Sequence, residues 1–86
     1  MEIIYSDHAK QDIDYWKRSG NTAIQKRISA LIRSIAQTPF EGIGKPEPLK
    51  HNLSGAWSRR INKEHRLVYE VEKHDVIILS IRGHYE

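Results

Sequence analysis

Apolar residues recur along this chain in two rhythms, and the change from one to the other divides it. A short extended run at residues 2–5 (Glu-Ile-Ile-Tyr) comes first. Ala9, Ile13 and Trp16 then fall at i, i+4 and i+7, one face of a helix. Ser6 stands where an N-cap belongs, with Asp7 in the first turn. Ser19-Gly20-Asn21 punctuates the chain, Gly20 suiting a C-cap and Asn21 the next N-cap. Ile24, Ile28, Leu31, Ile32 and Ile35 make a second helical stripe, which must stop near Gln37-Thr38 because Pro39 disfavours helix at the residue before it. Both stripes read as core and carry no function.

From Pro39 to Pro48, three prolines and two glycines in ten residues forbid regular structure and predict an exposed, partly stiffened loop. Beyond it the period becomes two. Trp57, Arg59 and Ile61 alternate with Ser58, Arg60 and Asn62; after a turn at Asn62-Lys63-Glu64, Leu67, Tyr69 and Val71 alternate with Arg66, Val68 and Glu70. A turn at Lys73-His74-Asp75 leads to Val76–Ile81, apolar on both sides and therefore expected inside the sheet. The predicted class is α+β: two N-terminal helices packed on one face of a mostly antiparallel four- to five-stranded sheet, the other face left for a partner.

Eighty-six residues, with 38% hydrophobic and 29% charged, fit one small globular domain spanning 1–86. No apolar run approaches the ~20 residues that span a bilayer, and the N-terminus lacks the pattern of a signal peptide. Cysteine is absent, which excludes disulfides and thiolate chemistry, and the cytoplasm is the expected location. The net charge of +3 is unevenly placed. Residues 45–66 hold six basic and two acidic side chains; the other 64 residues carry a slight negative excess. A local basic patch is the footprint of a phosphate-bearing partner, although a solvated surface accounts for it equally well.

Continuing the last strand through residues 76–85 puts Arg82 and His84 on one side, opposite Ile81 and Tyr85. By the same parity Arg66 and Arg60 lie away from the helix-covered side. The second face then collects Arg60, Arg66, Arg82 and His84, rimmed by the loop bearing Glu47 and Lys50. A carboxylate, a histidine and several arginines suit phosphodiester chemistry on RNA, which supplies its own 2′-hydroxyl nucleophile. The enzyme need only deprotonate that hydroxyl, protonate the leaving 5′-oxygen and stabilise charge on phosphorus. Many small basic domains own such residues, so composition alone is a weak signal.

The stretch is more specific when taken whole. Thr38-Pro39-Phe40-Glu41-Gly42, Gly44-Lys45-Pro46-Glu47-Pro48-Leu49-Lys50, His51-Asn52-Leu53-Ser54-Gly55, Trp57-Ser58-Arg59-Arg60-Ile61, Glu64-His65-Arg66-Leu67-Val68-Tyr69 and His84-Tyr85 closely resemble the YoeB/Txe toxins, a branch of the RelE superfamily of messenger-RNA interferases. The resemblance runs essentially end to end. It implies a toxin of a type II toxin–antitoxin pair: an endoribonuclease cutting messenger RNA in the ribosomal A site of the small subunit, without a metal or cofactor. Position by position, Glu47 matches the family's general base, His84 its acid, Arg66 the arginine on the transition-state phosphate and Tyr85 the tyrosine beside the acid. Lys50 and Arg60 look like supporting phosphate contacts; His51, Arg59 and Arg82 are expected to join them on RNA, with His51 and His65 equally open to local hydrogen bonding. The resemblance also implies a homodimer, a YefM/Phd-type antitoxin and no membrane association. An acidic antitoxin tail is expected over the face bearing Arg66. Gly83 before His84 departs from the family pattern. Two alternatives share the basic face: a non-catalytic RNA- or ribosome-binding module, and a gyrase inhibitor of the ParE kind.

Overall fold

The computed structural model describes residues 1–83; His84, Tyr85 and Glu86 lie outside them. Strand β1 (Glu2–Tyr5) leads into helices α1 (Asp7–Ser19) and α2 (Thr22–Gln37). A loop carrying β2 (Glu47–Pro48) and a short 3₁₀ turn (His51–Leu53) comes next, then β3 (Ala56–Arg60), β4 (Arg66–Glu72) and β5 (Asp75–Ser80). The five strands lie in the order β1-β5-β4-β3-β2. β1 runs parallel to β5 and every other pairing is antiparallel. A parallel neighbour requires a long crossover, and the chain between β1 and β5 supplies it.

The punctuation residues act as their chemistry dictates. Ser6 Oγ accepts from the Ala9 amide at 3.0 Å and donates to the Leu79 carbonyl at 2.9 Å, capping α1 and tying it to β5. Asn21 Oδ1 accepts from the Ile24 amide at 3.1 Å, and Gly20 ends α1 at φ 72°, a conformation that costs glycine little. Both helices cover one sheet face. Ala9 and Trp16 meet Ile28, Leu31 and Ile35, and these pack on Leu67, Tyr69, Val76 and Ile78. Leu31, Ile35 and Ile78 are fully buried, each contributing about 1.5–3 kcal/mol by area.

Three expectations need correction. The proline-rich loop is not wholly irregular: Glu47 and Pro48 pair with Ser58 and Trp57, because Pro48 sits on an outer strand, where its missing N–H costs no interior bond. The second face is not entirely open. Leu49 and Leu53 fold over Ala56, Val68 and Leu79 as a satellite cluster. Last, β5 ends at Ser80, and Ile81, Arg82 and Gly83 do not continue its alternation. A register shift opposite Val68/Tyr69 leaves Leu79 as an extra residue, so Ile78 and Ile81 both face the helices. α1 then takes both backbone groups of Ile81: its amide donates to Asp12 Oδ2 and its carbonyl accepts from Trp16 Nε1, each at 2.9 Å.

Candidate active site

β-register sets the positions of the site. Glu47 pairs with Ser58, Ser58 with Val68, and Arg60 with Arg66, so these side chains share the face opposite α1 and α2. Arg66 Nη1 donates to Glu47 Oε1 at 2.7 Å and to Ser58 Oγ at 3.0 Å. The Arg66 side chain is 13% exposed and that of Glu47 55%, so the guanidinium is inset and the carboxylate stands at the rim. Ser58, fully buried, backs the guanidinium from the floor of the sheet. Its role escaped the sequence reading; its shared parity with Arg60 was the available signal.

The outer face of the pair is basic. Arg60 is exposed, and among the described residues its side chain makes no hydrogen bond or ion pair. Lys50 and His51 are exposed where β2 leads into the 3₁₀ turn, His51 at φ 61°. An inset arginine held by a carboxylate and a hydroxyl, with cations beside it, can take a phosphate on the arginine and leave the carboxylate free to accept a proton. His84 and Tyr85 lie outside the described residues.

Two expected RNA contacts are elsewhere. Arg82 stacks on Tyr15 of α1, its guanidinium carbon 3.9 Å from the ring centroid. It is turned to that side because the strand ends at Ser80 and its alternation stops there. Arg59 is fully buried. Its Nε donates to Tyr69 Oη at 3.1 Å, Nη1 to Ser34 Oγ at 2.7 Å and the Ile43 carbonyl at 3.2 Å, and Nη2 to the Thr38 and Glu41 carbonyls at 2.6 and 2.9 Å. All five guanidinium N–H groups are thus taken by neutral oxygens. Tyr69 Oη in turn donates to the Pro39 carbonyl at 2.7 Å. Arg59 is the strut on which the loop from Thr38 to Ile43 is wound, and no surface remains to it for RNA.

That winding explains Gly42. Its φ is 123°, and a Cβ there would lie 2.5 Å from Ser34 Oγ and 3.1 Å from Arg59 Nη1. The Gly44 carbonyl accepts from the Arg60 amide at 2.7 Å, so the loop is stitched to β3 immediately before the segment carrying Glu47.

Burial pushes the Tyr69 phenol above its ordinary range, opposed by the hydrogen bond and the charge of Arg59. A folded-state pKa raised above the unfolded value contributes stability that is full below the unfolded pKa, about 10, and lost as pH rises through the folded one. The wild-type melting temperature should therefore fall more steeply above roughly pH 10 than that of Tyr69→Phe. Thermal melts followed by circular dichroism across the alkaline range test this; parallel declines in the two proteins would refute it.

The arrangement has close relatives. Residues 5–85 match the family model for a YoeB-like toxin of bacterial type II toxin–antitoxin systems. The toxin YoeB of Escherichia coli K12 is 52% identical over 85 residues, 99% of this chain and 100% of the relative. A YoeB/ParE toxin from Agrobacterium tumefaciens superposes with a TM-score of 0.93 at 39% identity, covering 99% of this chain and 100% of that one. A YoeB–YefM complex from Staphylococcus aureus superposes at 0.88 with 45% identity, covering 99% and 98%. With a bounded sheet, an inset Arg66–Glu47 pair and similarity over essentially the whole chain, this protein belongs to the YoeB family of type II toxin–antitoxin toxins.

Proposed function

We propose that the chain is a ribosome-dependent endoribonuclease that cuts messenger RNA in the A site by acid–base catalysis and so stops translation. The observation that carries the proposal is the Arg66–Glu47 pair at 2.7 Å, inset on the face that the helices leave uncovered and flanked by exposed cations. In this reading the scissile phosphate takes the place of Glu47 on the Arg66 fork. Glu47, released from its partner, removes the 2′-hydroxyl proton of the preceding nucleotide. The 2′-oxygen forms a bond to phosphorus, the P–O5′ bond breaks, and His84 gives a proton to the departing 5′-oxygen. The products are a 2′,3′-cyclic phosphate and a 5′-hydroxyl. Arg66 meets the charge on the non-bridging oxygens, Tyr85 orients the RNA beside the acid, and Lys50, His51 and Arg60 hold the flanking phosphates.

No helix among the described residues is long and apolar enough to cross a membrane. The reading places the whole chain, as one domain, in the cytoplasm with the ribosomes it acts on. A cognate antitoxin of the YefM type covers the Arg66 face with an acidic segment and silences it, and two toxin copies associate. Support for the first partner comes from the Staphylococcus aureus relative, whose structure is a complex with YefM. The test is a purified translation system programmed with a defined message. Arrest accompanied by cuts in ribosome-bound message is the expected result. Arrest with the message left whole makes the protein a binder and removes the catalytic roles.

A further inference from the structure

His65 stands between the start of β4 and Gly83. Its backbone closes the turn before β4: the His65 carbonyl accepts from the Ile61 amide at 3.0 Å and from Asn62 at 3.3 Å, while its own amide donates to Asn62 Oδ1 at 2.8 Å. Arg66 is therefore launched from a fixed point. The ring lies against the edge of Trp16, centroids 4.9 Å apart at 83°, and the side chain is 22% exposed. One ring nitrogen points back to the chain end, where Nδ1 accepts from the Gly83 amide at 3.1 Å. The Gly83 carbonyl accepts from the Arg66 amide at 2.9 Å. Both backbone groups of Gly83 are thus held by consecutive residues at the start of β4. Nδ1 is an acceptor here, so Nε2 carries the ring proton.

Glycine is the residue least able to hold its own backbone, and Gly83 adopts φ 111°, open to glycine but strained for other residues. Without an external clamp, the Gly83 backbone would be free to sample other conformations, and the reaction depends on the residue that follows it. That residue, next in the sequence, is His84, the acid in the reading above. We propose that His65 is a positioning residue for the reaction: its Nδ1 fixes the backbone of Gly83, the residue that leads into the proposed acid His84, in a set relation to Arg66. The inference rests on the nuclease reading above. His65 touches neither RNA nor reacting atoms in this role. A purely structural histidine would support β4 through its backbone and its contact with Trp16, both of which survive loss of the Nδ1 acceptor.

Two substitutions separate these cases. His65→Phe keeps an aromatic edge against Trp16 and removes the acceptor. His65→Asn loses the ring but places Oδ1 close to where Nδ1 stood. Single-turnover cutting on programmed ribosomes, measured against toxin concentration, gives a saturating rate and a half-saturating concentration. Exchange of the Gly83 amide proton, followed by NMR, reads the clamp with no reference to activity. In His65→Phe the saturating rate should fall roughly 10- to 100-fold, with half-saturation within about twofold of wild type, as expected for a misplaced catalytic group. Gly83 exchange should quicken in the same variant, and His65→Asn should recover most of both. Wild-type cutting by His65→Phe, or equal slowing by both variants with Gly83 still protected, would overturn the positioning role. A wild-type protein that leaves the message whole would instead overturn the nuclease reading, and the positioning role with it.

Discussion

Glu47→Gln should slow message cleavage by roughly 10²–10⁴-fold while leaving the fold intact, because it removes a proton acceptor and keeps the shape of the side chain. Arg66→Ala should cost a similar roughly 10²–10³-fold by removing the donors that meet charge on the phosphate. Their double variant should be little worse than the more damaged single one, since both serve one step. Stability tells a different story. The ion pair between them has its carboxylate 55% exposed, and an exposed pair is worth at most about 1 kcal/mol. Arg66→Lys separates charge from geometry. An ammonium lacks the planar fork that can stay on Ser58 while meeting two phosphate oxygens in place of Glu47, so lysine should recover only a small part of the rate. Single-turnover rates with matched thermal melts check all four variants. Full activity in Glu47→Gln would remove that residue from the reaction.

Arg59→Leu should be the most damaging substitution to stability, by about 3–5 kcal/mol, because it strips the partners from oxygens gathered around a buried cation. The Thr38, Glu41 and Ile43 carbonyls and the Ser34 and Tyr69 hydroxyls would each lose a donor. In a domain of this size that shift lowers the melting temperature by on the order of 15 °C or more. The loop should loosen first, exposing peptide bonds between Thr38 and Ile43 to protease before the sheet opens. Arg60→Ala, one residue on and exposed, should leave the melting temperature unchanged and weaken RNA binding in a salt-dependent way. Unaltered melting of Arg59→Leu together with lost RNA affinity would return Arg59 to the RNA surface.

These two arginines mark where the sequence is legible and where it is not. Period two already groups Arg59 with Trp57 and Ile61 on the helix side and Arg60 with Ser58 on the other. The burial of Arg59 is therefore readable; its assignment to RNA comes from counting it with its basic neighbours. What no local pattern contains is the set of carbonyls that make the burial tolerable, since these come from a loop 16 to 21 residues earlier. The helix limits are legible because Ser6, Gly20, Asn21 and Pro39 each have one dominant local effect. Arg82 is misplaced for the opposite reason. A one-residue bulge at Leu79 and the hold of Asp12 and Trp16 on Ile81 are tertiary events, and strict alternation cannot anticipate them. Ser58 and His65 are similar: each makes a side-chain hydrogen bond to a residue further along the chain that only the tertiary fold brings near.

The most direct test of the central claim is the chemistry of the cut ends. Message recovered from ribosomes treated with wild-type protein should carry a 2′,3′-cyclic phosphate, or its opened monophosphate, on the upstream fragment and a free 5′-hydroxyl on the downstream one. That pair of ends requires attack by the RNA's own 2′-hydroxyl, the step assigned to the Glu47–Arg66 pair. A 3′-hydroxyl upstream and a 5′-phosphate downstream would mean that water attacked instead, and would contradict the mechanism even if the message were cut.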